Sequence, residues 1–204
     1  MLRRTLLLGS FSGAVGAMSL PMAARAQSGW DPELTEFDQV MGSADAPVTI
    51  IEYSSYTCPH CARFHRETLP QLKTEYIDTG IARLVFRDFP LDGVALRAGM
   101  MARCLPTPMF FTMNEVLFDQ QQQWARSPDP IGALANLGRV AGLNPDAFDA
   151  CMADEALADR IIQLRLEGAQ RYEVSSTPTF VINGAVMAGA QPFDRFARMI
   201  EDAI

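Results

Sequence analysis

Val48-Thr49-Ile50-Ile51-Glu52-Tyr53-Ser54-Ser55-Tyr56-Thr57-Cys58-Pro59-His60-Cys61 is the stretch on which the fold turns. Its first six residues form a β-branched, nearly unbroken apolar run, the pattern of a strand covered on both faces. Its end, Cys-Pro-His-Cys, opens a helix to about Thr79, in which Phe64, Leu69, Leu72 and Tyr76 recur at helical spacing before Gly80 stops it. Leu84-Val85-Phe86 marks the next strand, within 82–86. Strand, helix and strand make a βαβ unit, so the two strands are expected to lie parallel.

Beyond that unit the pattern changes. From Asp92 to Tyr172 helical periodicity is broken by Pro106, Pro108, Ser127-Pro128, Pro130 and Asn144-Pro145, which predicts helices over 93–104, 108–122, 131–141, 145–152 and 155–171. Strand character returns in Thr179-Phe180-Val181-Ile182 and Ala185-Val186-Met187. Asn183-Gly184 between them suits a tight hairpin, whose turn positions need positive φ. A last amphipathic helix spans Pro192 to Asp202, with Phe193, Phe196 and Ile200 on one face. Residues 27–47 are a polar lead with room for a short edge strand or a single turn. The organisation is an α/β layer from 27–91 and 173–204, with a helical domain at 92–172 inserted in its middle.

Residues 1–26 read differently from the rest. Arg3-Arg4 begins a basic start, Leu6 to Leu20 is apolar but diluted by Gly and Ser, and Pro21 precedes Ala24-Arg25-Ala26, an A-x-A cleavage pattern. This is expected to be a signal peptide, cleaved after Ala26 to leave 178 residues. The run is too short and too dilute for a bilayer-spanning helix, which needs about 20 apolar residues. The paired arginines resemble a twin-arginine signal, although Leu2 stands where Ser or Thr is usual, so that route and general secretion both stay open. Either leads to an oxidising space, expected to be the periplasm, where disulfides persist. Removing the segment takes the net charge from −7 to −10. An acidic chain lacks the basic footprint of a nucleic-acid binder. With 49% hydrophobic residues it is not disordered either.

The chemistry lies at Cys58 and Cys61. Two cysteines one helical turn apart can close as a disulfide or open to a dithiol with little backbone motion. Pro59 suits the first helical position and puts Cys58 at the helix start, where free N–H groups and the dipole favour an anion. An acidified, exposed Cys58 thiolate is expected, with His60 as a further donor. Stabilising the reduced thiolate makes the disulfide easier to reduce and the protein an oxidant. Cys61, one turn in, is expected to be the buried resolving thiol. Zinc would need a second ligand pair, and c-type haem would need His where Ala62 stands, so neither metal nor cofactor is expected.

Two further features join this constellation. Glu52 sits inside an apolar strand, where a carboxyl group is costly unless it titrates or is paired, which fits a proton acceptor or donor for Cys61. An alternating strand would instead leave Glu52 exposed. Thr177-Pro178, just before the strand at Thr179, is a place where a cis bond is usable. No clear basic partner for Glu52 is legible, Arg87 being a candidate by proximity alone.

Together these residues resemble the DsbA-type thiol-disulfide oxidoreductases, proteins of the thioredoxin fold with an inserted helical domain. The resemblance runs through Gly42-x-x-x-Ala46-Pro47-Val48, Glu52-Tyr53, Cys58-Pro59-His60-Cys61, Phe89-Pro90-Leu91 and Thr177-Pro178-Thr179-Phe180-Val181-Ile182-Asn183-Gly184. It implies that Cys58 is the nucleophile, Cys61 the resolving thiol and Glu52 a buried acid near it. Thr177-Pro178 would be a cis-proline loop that contacts the bound polypeptide. It also implies oxidation of reduced secreted polypeptides and reoxidation by a DsbB-like membrane partner that passes electrons to quinone. The chain departs from the pattern at Val174-Ser175-Ser176, where relatives often carry Gly. Isomerases of this kind dimerise through a separate amino-terminal domain, for which the 21-residue lead is too short, so a monomer is expected.

Cys104 and Cys151 end two of the expected inserted helices and are expected to form a structural disulfide in an oxidising compartment. Two thiols that never meet, or a regulatory dithiol, are the alternatives. Met100, Met101, Met109, Met113, Phe110, Phe111 and Phe118 read as helix packing, and His65 as a plain surface or packing residue. The glutamine tract at 120–123 is too short to build on. Two other functions remain open: a disulfide isomerase or reductase on the same fold, and a peptide-binding chaperone module with incidental cysteines.

Overall fold

The computed structural model describes residues 30–204, so the expected signal peptide at 1–26 lies outside the described residues. Five strands form one mixed sheet: β1 (Gln39–Met41), β2 (Val48–Ser54), β3 (Ala82–Asp88), β4 (Thr179–Ile182) and β5 (Ala185–Ala188), in the order β1-β3-β2-β4-β5. β2 lies at the centre with all seven residues buried, as its apolar run requires. It pairs parallel with β3 and antiparallel with β4, and the edge pairs β1·β3 and β4·β5 are antiparallel.

Alternation along β2 assigns each residue to a layer. Val48 and Ile50 join Phe64, Leu72, Phe180 and Phe196 under α1 (Pro59–Glu67) and α9 (Phe193–Ala203). Ile51 and Tyr53 face the other way, toward Phe89, Val174 and Tyr172, where α8 (Glu155–Tyr172) covers the sheet. α8 comes close because residue 168 is Gly: a Cβ there would stand 2.5 Å from the Tyr53 ring.

Between β3 and β4 the chain is helical: α3 (Gly93–Cys104), α4 (Phe110–Asp119), α5 (Gln121–Ala125), α6 (Pro130–Val140), α7 (Pro145–Met152) and α8. Asp92, Asp129, Asn144 and Asp154 each accept a hydrogen bond from the N–H three residues on, and these caps set the starts that the prolines and turn residues announced. Met101, Phe110, Met113, Leu117, Phe118 and Trp124 pack with Tyr56, Cys58, Cys61 and Phe86, so the core of the inserted helices is continuous with the cysteine motif. A Cys104–Cys151 disulfide joins α3 to α7.

Three local readings are corrected. The helix expected from Cys58 to Thr79 is broken into α1, α2 (Leu69–Leu72) and a wide π-helical turn at Lys73–Ile77. Pro70 cannot donate to the carbonyl of Arg66, which interrupts the ladder although the apolar spacing continues. The helix expected over 108–122 divides in two, at 110–119 and 121–125, with a short 3₁₀ turn before it. β3, expected to end at Phe86, runs on through Arg87 and Asp88. Both charges are paired and buried, Arg87 with Asp38 and Asp88 with Arg103, each at 2.7 Å. The hairpin at Asn183-Gly184 has positive φ at both positions, 43° and 93°.

Candidate active site

β2 delivers the chain to a loop at residues 55–58, and α1 starts directly after Cys58. Cys58 is the N-cap, in extended conformation, with Pro59 at the first helical position, where no N–H is lost from the ladder. The Cys58 thiol donates to the Thr177 carbonyl at 3.2 Å, across from the Thr177–Pro178 peptide bond, which is cis. Strand β4 begins at Thr179, so the sheet holds this loop against the cysteine.

The two thiols are driven apart in acidity. Cys58 falls from the ordinary 9.0 to about 5, chiefly because the Cys61 thiol donates to its sulfur, helped by the Thr177 side chain and the backbone N–H groups of Cys61 and His60. Cys61 moves well up, because it is buried and because it donates to an anionic neighbour. The Ser54 hydroxyl, which has no oxygen or nitrogen partner, opposes that shift from beside Cys61.

The pH dependence follows from these directions. The fold favours ionised Cys58, an advantage fully present above the unfolded thiol's 9.0 and gone below about 5. Urea midpoints of the reduced protein should therefore climb with pH between those values, relative to the oxidised protein, in which Cys58 has no proton to lose. Above 9.0 Cys61, held protonated by the fold, works in the opposite direction. Thr177→Val removes the buried hydroxyl of the side chain that helps lower the Cys58 thiol. Its expected effect is a rise in the Cys58 pKa of about one unit, read from thiolate absorbance against pH.

Several expectations about the site change in detail. Cys58 is not the exposed thiol foreseen; it is only 6% accessible, flanked by the exposed Pro59 and His60. What His60 brings to the sulfur is its backbone N–H. Glu52 is fully buried, and its carboxylate bonds to His65 Nε2 at 2.9 and 3.1 Å rather than to Cys61. His65 is therefore no plain surface or packing residue. It is buried and stacked on Phe118 with ring centroids 4.0 Å apart. Arg87, the nearest cation in register, stands opposite Tyr53 and so faces the other side of the sheet, where it binds Asp38 and the Tyr53 hydroxyl. The legible signal for His65 was its position four residues after Cys61, on the same face of α1.

Gln121 of α5 also reaches the motif. Its Nε2 donates to the carbonyls of Tyr56 and Cys58 at 2.8 and 2.9 Å. Nearby, Thr57 donates to Asp92 at 2.7 Å. A surface cavity of about 180 Å³ lies between them, lined by Thr57, Pro59, Asp92, Gln121 and Arg126 among others.

The thioredoxin family profile matches residues 34–202. A Rickettsia bellii protein named as a protein-disulfide oxidoreductase is 31% identical over 153 residues, which is 74% of this chain and 59% of that protein. The chain spans 59–63% of the length of the Rickettsia relatives it matches. The crystal structure of Wolbachia pipientis alpha-DsbA1 superposes with a TM-score of 0.76 at 29% identity, covering 83% of this chain and 92% of that one. A structure titled protein-disulfide isomerase, from Novosphingobium aromaticivorans, superposes at 0.70 and 27% identity, covering 81% of this chain and 99% of that one.

Proposed function

The chain belongs to the thioredoxin family, and on that premise we propose that it is an exported thiol-disulfide oxidoreductase, one that introduces disulfides into reduced polypeptides through Cys58 and Cys61. The observation that carries this reading is the split in thiol acidity. A sulfur at about 5 is the better leaving group of the pair, so electrons flow from substrate to protein.

The steps balance as follows. A substrate thiolate attacks the Cys58 sulfur of the Cys58–Cys61 disulfide; the S–S bond breaks and Cys61 departs, taking a proton to become the neutral thiol its burial favours. The mixed disulfide at Cys58 is then attacked on the substrate's sulfur by the substrate's second thiolate, and Cys58 leaves as a thiolate held by backbone N–H groups. The substrate has lost two electrons and two protons; the chain holds the electrons as the Cys58 thiolate and the Cys61 thiol, with one proton on Cys61 and the other released to solvent. A membrane partner linked to quinone would return it to the disulfide. Thr177-Pro178, against Cys58, would receive the bound polypeptide, and the buried Glu52–His65 pair would support proton movement for the cysteines. The leader-like residues 1–26 and the Cys104–Cys151 disulfide both fit an oxidising compartment. Among the described residues no helix is long and apolar enough to cross a membrane.

The experiment is incubation of the oxidised chain with a reduced, unfolded disulfide protein. The expected result is one new substrate disulfide per chain reduced. The isomerase reading gains if the reduced chain instead reshuffles a scrambled substrate and the oxidised chain transfers nothing.

A further inference from the structure

The glutamine tract, which carries no pattern of its own, places one side chain at the reactive cysteine. Gln121 is 1% exposed, and both of its Nε2 donations end on main-chain carbonyls of the loop that precedes α1. The Cys58 carbonyl also accepts from Ala62 N–H at 3.2 Å, the first helical bond of α1. That single oxygen therefore joins the active-site helix to α5. α5 is itself anchored, since Trp124 Nε1 donates to the Leu117 carbonyl of α4 at 2.7 Å.

A primary amide suits this place chemically. It offers two N–H donors on one nitrogen, matching two carbonyls, and no charge to bury. Cys58 relies on backbone N–H groups of His60 and Cys61, and their direction is set by how the first turn of α1 is held. We propose that Gln121 is a positioning residue for the Cys58 chemistry, fixing the first turn of α1 against the inserted helices so that those N–H groups stay aimed at the sulfur. The inference rests on the reading of Cys58 as the nucleophile and adds the inserted helices as a determinant of its reactivity.

Gln121→Met keeps the length and removes both donors. The expected result is an upward shift of about one unit in the Cys58 pKa, with the glutathione equilibrium moved about tenfold toward the disulfide. Gln123→Ala, an exposed change in the same tract, should move neither. A folded Gln121→Met protein with a lower melting temperature but unchanged pKa and equilibrium would overturn the proposal. Should that variant not fold, hydrogen exchange of the Gln121 side-chain amide in the unaltered protein decides the matter. Protection in the reduced state supports the clamp, and exchange at the rate of a free amide overturns it. Ordinary thiol acidity at Cys58 in the unaltered chain would instead defeat the functional reading itself.

Discussion

Replacing Cys58 by Ala is expected to abolish oxidation of reduced polypeptides, by a factor of about 10³ or more, because no other thiol can take the mixed disulfide. Without Cys58, the fully buried Cys61 has no partner sulfur with which to form the disulfide that a substrate thiolate attacks. Cys104 and Cys151 are bonded to one another. The companion change, Cys61→Ala, is expected to act differently: with no resolving thiol, mixed disulfides at Cys58 accumulate and are visible on non-reducing gels. Recovered after expression in cells, they would report both substrates and the reoxidising partner. Full activity in Cys58→Ala would assign catalysis elsewhere and favour the peptide-binding reading with incidental cysteines.

His65→Leu is the second large effect, this time on stability. The change leaves the Glu52 carboxylate at the centre of the sheet without its hydrogen-bond partner, between Phe86 and Phe180 in register. Removing one member of a buried pair costs about 3–5 kcal/mol, so the urea midpoint should fall steeply. The double change Glu52→Leu with His65→Leu should recover most of that loss, since two apolar groups need no mutual hydrogen bond. Its activity then separates structure from chemistry. If the pair moves protons for the cysteines, the folded double variant turns over about 10²-fold more slowly. Undiminished turnover would leave the pair a structural role alone.

The parts of the fold that were legible in sequence are those written in local patterns. The β2–α1 junction is announced by a β-branched run followed by Cys-Pro, and the β4–β5 hairpin by Asn-Gly. The starts of α6 and α7 are announced by Asp129-Pro130 and Asn144-Pro145. The break after Glu67 was missed because the apolar spacing of Leu69, Leu72 and Tyr76 continues across Pro70, and periodicity conceals a lost backbone bond. The end of β3 was placed too early because charges normally mark a strand's exit. Arg87 and Asp88 stay in the sheet only by pairing with Asp38 and Arg103, far apart in sequence.

At the site, the cysteines and the cis-proline loop stand out because their residue types are themselves the chemistry. The partner of Glu52 did not, because pairing is decided by which face of the sheet a side chain occupies. Arg87 is near in register but on the opposite face, whereas His65 arrives from the helix above. Gln121 left no trace, since a side chain that binds main-chain carbonyls needs no complementary residue.

The most direct test of the account is the equilibrium of the Cys58–Cys61 pair with glutathione. DsbA, the reference oxidant among CxxC proteins, lies at about −120 mV and protein disulfide isomerase at about −180 mV. With the Cys58 thiol lowered to about 5 and the Cys61 thiol pushed well up, the expected result is a potential on the oxidising side of about −180 mV. A potential near or below the −270 mV or so of thioredoxin would contradict it, because a pair that reducing would withdraw electrons from no secreted substrate.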